Sequence, residues 1–117
     1  MAYVDGFVIA VPKSNLDTYK AMARKCESIW REFGAIEYVE CVGDDVPYGE
    51  VTSFPRAVQA KDDETVIFSW IVYPDRATRD AANKKIMADE RLKKMMEKPP
   101  FDGKRMIFGG FKPFLGL

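Results

Sequence analysis

An α+β fold with the element order β-α-β-β-α-β is predicted by three observations. The stretch Thr65-Val66-Ile67-Phe68-Ser69-Trp70-Ile71-Val72-Tyr73-Pro74 is a run of β-branched and aromatic residues, entered from Lys61-Asp62-Asp63-Glu64 and closed by a proline. Such a run is a strand, and its lack of clean polar–apolar alternation means that both faces are buried. Two segments, 14–33 and 75–99, carry apolar residues at helical spacing, and strand-like runs at 3–11, 35–42 and 104–114 flank them. A chain of 117 residues holding these elements is one domain, 1–117, with room for a single core.

The first strand, Tyr3 to Val11, puts Tyr3, Asp5, Phe7, Ile9 and Val11 on one face and Val4, Gly6, Val8 and Ala10 on the other; Pro12 ends it. Asp5 is unusual inside an apolar strand and is read as a residue at its frayed end, because an unpaired carboxylate is costly to bury. Ser14 is the expected N-cap of the first helix, with Asp17 in the capping-box position. Leu16, Tyr19, Ala23, Cys26, Trp30 and Phe33 then form its apolar stripe, with Lys20, Arg24, Lys25, Glu27 and Arg31 on the wet side. Gly34 is the expected stop, and Cys26 reads as core filler.

In the second strand, Ala35 to Val42, Glu37, Val39 and Cys41 share one face, and Ile36, Tyr38, Glu40 and Val42 the other. A glutamate on each face marks a sheet edge. A loop or arm insertion follows at about 44–60. Its first half, with Asp44, Asp45 and Glu50, is rich in turn residues and lacks an oxygen-ligand pattern such as an EF-hand loop, so no metal site is expected. Its second half, 51–60, is semi-apolar and broken by Pro55; a short helix and an extended arm across a partner both fit.

After the long strand, Asp75 caps the second helix, whose inner stripe is expected to be Ala77, Ala81, Ala82, Ile86 and Met87, with Arg76, Arg79, Asp80, Lys84 and Lys85 outside. Asp89 restarts or kinks it, and Leu92, Met95 and Met96 extend its apolar side to Pro99. Asp102-Gly103 turns the chain into the last strand, Lys104 to Phe114, in which Gly109-Gly110 marks a bulge or a close approach.

This order is the split βαβ, ferredoxin-like arrangement, a four-stranded antiparallel sheet with two helices on one face. Apolar residues occur at both parities in the strands, so the second face needs a cover: Ile67, Ile71 and Tyr73 oppose Phe68, Trp70 and Val72, and Ile107 and Phe111 oppose Met106, Phe108 and Phe114. Two sheets facing across a two-fold axis provide that cover, and a homodimer is expected.

Eighteen basic and eighteen acidic residues cancel, which argues against a nucleic-acid partner. No apolar run approaches the roughly 20 residues that span a bilayer, so no membrane association is expected. The N-terminal residues lack a basic signal-peptide region, and a cytoplasmic location is expected. There is no histidine, which removes the commonest general base and metal ligand. Cys26 and Cys41 form no CxxC and read as reduced thiols.

Several stretches carry a family resemblance. Tyr3-Val4-Asp5-Gly6-Phe7, Glu37-Tyr38-Val39-Glu40, Asp44-Asp45-Val46-Pro47, Thr52-Ser53-Phe54-Pro55, Phe68-Ser69-Trp70-Ile71-Val72-Tyr73-Pro74 and Pro100-Phe101-Asp102-Gly103-Lys104-Arg105-Met106 resemble the bacterial YbaA-like proteins, domain-of-unknown-function family 1428. The likeness runs over essentially the whole chain; Asp89-Glu90-Arg91 departs from the Asp-Pro-Arg of the pattern. It implies membership of the dimeric α/β-barrel superfamily, which includes cofactor-free monooxygenases, haem-handling enzymes and plain ligand-binding proteins. It implies no catalytic set, and haem ligation through histidine is closed to this chain.

Three functions are weighed. The first is a small-molecule-binding dimer with Tyr38, Phe68 and Trp70 as its aromatic wall, joined by Phe108, and Glu40, Ser69 and Arg105 as polar groups. The second is a cofactor-independent enzyme, monooxygenase- or isomerase-like, on a small aromatic or enolisable substrate, using one carboxylate among Asp5, Glu37, Glu40 and Asp102 near Arg105. The third is a ligand-free interaction module that uses the 44–60 arm. No cofactor is expected, no catalytic residue is assigned, and the binder is preferred.

Overall fold

The strands β1 (Tyr3–Pro12), β2 (Glu37–Val42), β3 (Glu64–Tyr73) and β4 (Ile107–Phe111) form one sheet in the order β2-β3-β1-β4 in the computed structural model, which describes residues 1–117. All three pairings are antiparallel. With the helices α1 (Leu16–Glu32), α2 (Phe54–Ala57), α3 (Arg76–Ala88) and α4 (Glu90–Met95), this is the ferredoxin-like α+β arrangement. β3 lies inside the sheet and β2 at its edge, as the charge pattern of the two strands requires.

The alternation of β1 and β3 sends their odd-numbered residues to the helix side of the sheet, where they form two adjoining clusters. Ile9, Val11 and Ile67 pack with Tyr19 and Phe101, and Ile71 and Tyr73 pack with Ala35 and Ala82. Cys26, Ile29 and Leu92 join α1 to α4. Val11, Ile67 and Tyr73 have at most 1% of their surface exposed; burying each of the two aliphatic side chains is worth about 1.5–3 kcal/mol, whereas Tyr73 buries its hydroxyl without a partner. Ile67→Ala would cost about 2–5 kcal/mol, through lost burial and the cavity left behind.

The opposite face has its own small cluster, Val8, Ala10 and Val66 around Val58. The 54–60 segment is therefore a short helix and a turn packed on the chain's own sheet. Ser53 caps it by accepting from the Arg56 amide at 3.1 Å, and Pro55 sits in its first turn, where a missing N–H costs nothing.

Several local expectations are corrected. Ser14 is not the cap of α1: Lys13–Asn15 forms a 3₁₀ turn, and Asn15 stands at the cap position with its amide donating to the Pro100 carbonyl at 3.2 Å instead. β2 begins at Glu37, because the Ala35 amide still bonds the Trp30 carbonyl of α1 at 3.0 Å, although the Ile36 amide already bonds the Val72 carbonyl at 2.8 Å. β4 is shorter than expected, since Gly103–Arg105 makes a 3₁₀ turn held by the Asp102 carboxylate on the Lys104 amide.

α3 is rotated from the expected stripe. Arg79, Ala82 and Ile86 turn inward, while Ala77, Ala81 and Met87 are exposed. The reason is Asp5, which is not frayed but buried at 6% exposure and held by Arg79, whose Nε and Nη2 donate to it at 2.9–3.1 Å. A buried carboxylate requires such a partner, and α3 turns to supply it. Gly110 permits this packing, because a Cβ there would lie 2.5 Å from the Tyr3 hydroxyl and 2.7 Å from the Arg79 guanidinium. Gly34, at φ +118°, closes α1 in the left-handed region. Asp89 starts α4 by accepting from the amides of Arg91 and Leu92 at 2.8 and 3.2 Å.

Candidate functional site

β2 is short, lies at the edge and alternates, so Tyr38, Glu40 and Val42 face the helices. α1 crosses above this edge, its residues Tyr19, Ala23 and Glu27 following each other at helical spacing. Between them is a cavity of about 310 Å³ whose walls include Ala23, Val42 and Ile67. Glu40 sits in it with one carboxylate oxygen on each of two phenols: Tyr19 donates to Oε1, and Tyr38 donates to Oε2 at 2.9 Å. Both rings are held from behind, Tyr19 edge-on to Phe101 at 5.8 Å and Tyr38 edge-on to Trp30 at 6.0 Å.

Burial, then the Glu40 charge, raises both phenols far above the ordinary tyrosine range, so they remain hydrogen-bond donors. Burial, then the same charge, pushes the Cys26 thiol up to about 11, which makes it a packing group and a poor nucleophile at neutral pH. Lys20 and Arg24 stand at the wall of the cavity without an ion-pair partner. The third charged residue on that side of α1, Glu27, is engaged by Arg31 at 3.2 Å. The site thus has a carboxylate floor, apolar walls and two free cations along the helix.

The sequence-derived candidates divide into three places. Tyr38 and Glu40 belong to this cavity. Ser69 pairs with Glu40 in the ladder and is buried at 6% exposure on the same face. Phe68 and Trp70 are on the opposite face and do not meet Glu40; Trp70 there donates to Glu37 at 3.4 Å. Arg105 is committed elsewhere, bonding Glu64 at 2.7 Å through each of two nitrogens, Asp102 at 3.1 Å and the Gln59 carbonyl at 2.9 Å. Its guanidinium joins the end of the arm to β3, so the expected carboxylate–Arg105 site is a structural clamp. No group of three or more Asp, Glu or Cys side chains is positioned to hold a metal ion.

Tyr19, Lys20 and Arg24 were not singled out by the sequence, because Tyr19 reads as a core residue and the cations as a solvated face. The available signal was the parity of Glu40, a carboxylate directed at the same helix stripe that carries Tyr19.

The opposite face holds a larger concavity of about 610 Å³ between the sheet and the C-terminal tail, including Val4, Phe68, Trp70, Ile107, Phe111 and Leu115. The arm touches only the rim of this surface, through Phe54 edge-on to Phe68 at 5.7 Å; Phe68 is still 42% exposed and Phe111 62%.

Together these features define an α+β protein of the ferredoxin-like class, with a polar cavity on the helix side of its sheet and an apolar surface on the other. The chain belongs to the family described as Protein of unknown function (DUF1428), whose model matches residues 2–103. It is 54% identical over 115 residues to the Uncharacterized protein YbaA of Escherichia coli strain K12, with 98% of each chain covered, and equally to that of Shigella flexneri. Among solved structures it is similar to a dimeric ferredoxin-like protein from an uncultured marine organism, at a TM-score of 0.64 and 11% identity over 98% of this chain and 97% of that one. It is also similar to SnoaB, a cofactor-independent oxygenase from Streptomyces nogalater, at a TM-score of 0.60 and 14% identity over 99% and 96% of the two chains. At these identities the likeness is one of fold. No helix is long and apolar enough to cross a membrane.

Proposed function

We propose that the protein is a cytoplasmic homodimer that binds a small molecule between α1 and β2, with Glu40 as its polar anchor. The observation that carries this reading is Glu40 itself, a carboxylate drawn into a cavity by two tyrosine hydroxyls where a salt bridge to Lys20 or Arg24 would have been the simpler partner. A concave, mostly apolar cavity with a few convergent polar groups is the usual form of a ligand site, and about 310 Å³ suits a small ligand. The apolar opposite face supports the homodimer, as does the description of a structural neighbour as dimeric. Ser69, Phe68 and Trp70 act in this reading as sheet and interface residues, and Arg105 as a clamp.

A second reading is enzymatic and rests on the same group. A carboxylate beside two phenols is a proton acceptor next to two proton donors, the minimum for acid–base chemistry on an enolisable compound without a cofactor. SnoaB, described as a cofactor-independent oxygenase, shares the fold.

Native mass spectrometry with an added library of small polar aromatics tests the proposal. A dimer that takes up library members, with uptake lost in Glu40→Leu, is the expected result. A monomer removes the dimer, and uptake unchanged in Glu40→Leu removes the site. Turnover abolished in Glu40→Gln with the fold intact favours the enzyme over the binder.

A further inference from the structure

The chemistry of the cavity narrows its ligand, an inference that rests on the binding role proposed for it. A carboxylate offers about four lone-pair positions. Tyr19 and Tyr38 occupy one on each oxygen of Glu40 and spend their only hydrogen-bond donors in doing so. What remains at the floor is acceptor capacity alone, on Glu40 and on the two phenol oxygens. A ligand group reaching this floor must therefore donate, as a hydroxyl or an amine does. A carboxylate or ketone placed there would find no donor and would lose its hydration without replacement.

The helix side of the cavity has the opposite character. Lys20 and Arg24 are one turn apart on α1 and enter no ion pair within the chain, and Glu27, the acid of that strip, is held by Arg31. Cations left unpaired on a cavity wall favour an anionic group. Between the two poles the wall is Ala23, Val42 and Ile67 with the phenol rings, which suits a flat apolar body.

We infer that the cavity takes a small aromatic carboxylic acid carrying a hydroxyl or amine at its far end, the donor on Glu40 and the acid at Lys20 and Arg24. Either end alone binds more weakly than the two together. This polarity sets the orientation of the ligand and excludes compounds that are acidic at both ends.

Protein-observed NMR titrations with 4-hydroxybenzoate, benzoate and phenol, each to about 10 mM, the range in which fragments of this size bind, test the inference. 4-Hydroxybenzoate is expected to perturb Tyr19, Ala23 and Tyr38 with an affinity about tenfold above either half-probe, since each half-probe lacks one charge-assisted contact. Lys20→Ala/Arg24→Ala changes only exposed side chains. It is expected to lower 4-hydroxybenzoate affinity about tenfold and leave phenol unchanged, whereas Glu40→Gln weakens 4-hydroxybenzoate and phenol and leaves benzoate unchanged. Equal affinities for the three probes, or no loss in Lys20→Ala/Arg24→Ala, overturn the inference. Binding of other fragments in the cavity while all three probes fail overturns it and leaves the binding role standing. Silence of the cavity to every fragment removes both.

Discussion

Tyr38 and Glu40 lie two residues apart on the same face of the edge strand, and the Tyr38 hydroxyl donates to the Glu40 carboxylate at 2.9 Å. Neighbours at this spacing on a strand normally present parallel, independent side chains. Here one is the partner of the other, with Tyr19 of the crossing helix completing the arrangement.

The two phenols should therefore titrate late. Tyr19 and Tyr38 are raised above the ordinary 10.0, first by burial and next by the Glu40 charge. In the folded chain they hold their protons to a higher pH than in the unfolded chain. Their contribution to stability is complete below pH 10.0 and falls as the pH rises above it. Tyr73, pushed up to about 12 by burial and then by the Asp5 charge, acts in the same direction. Ultraviolet titration at alkaline pH should show late phenolate formation coincident with unfolding. Glu40→Gln should shift the Tyr19 and Tyr38 steps downward but not to the ordinary value, since burial remains.

The Asp5–Arg79 pair predicts a large loss of stability. The two side chains are 9% and 18% exposed and joined at 2.9 Å. Asp5→Ala leaves the guanidinium facing the sheet without its carboxylate, at a cost of roughly 3 kcal/mol. Urea unfolding of Asp5→Ala measures this. A change within experimental scatter would mean that Asp80, at 3.0 Å from Arg79, takes over the charge.

The Arg105–Glu64 clamp predicts an acid limb. Glu64 is held down to about 2 by the hydrogen bonds from Arg105, against an ordinary 4.5. Because the folded value is depressed, the stabilisation is present above pH 4.5 and is lost as the pH falls toward about 2. Arg105→Met should cost roughly 2 kcal/mol at neutral pH, flatten that limb, and leave the uptake proposed for the Glu40 cavity unchanged. Denaturant midpoints between pH 2 and pH 7, followed with the binding assay, check all three.

Trp70 and Phe111 lie on the apolar face left open by the arm. In the proposed homodimer, Trp70→Glu would place a charge against the second copy and should give a monomer in sedimentation equilibrium, while its far-ultraviolet circular dichroism stays that of the wild type. An unchanged dimer would put the interface elsewhere.

Much of this architecture was legible in the sequence because it depends on local composition and period. Runs of β-branched and aromatic residues at 3–11 and 65–74 and helical spacing in 16–33 specify the elements. Opposite-parity glutamates correctly mark β2 as an edge. What period cannot carry is which polar group meets which. Arg79 reads as a wet-side residue until Asp5, 74 positions earlier, needs a partner and turns α3 toward it. Arg105 and Glu40 both appeared as polar site candidates, yet one is consumed by Glu64 and the other by two tyrosines. Phe68 and Trp70 were grouped with Glu40, and only the register separates them, since 68 and 70 pair with 41 and 39 while 69 pairs with 40. The family resemblance adds the fold but no chemistry, so Tyr19 came into view only when the helix crossed above Glu40.

The most direct test of the central claim, that Glu40 with Tyr19 and Tyr38 forms a ligand site, is amide shift mapping of a mixed fragment library on the wild type and on Glu40→Leu. Perturbations gathered at Tyr19, Ala23, Tyr38 and Val42 in the wild type and absent in a folded Glu40→Leu are the predicted result. A library that leaves these residues untouched, or perturbs them equally in both proteins, would contradict it.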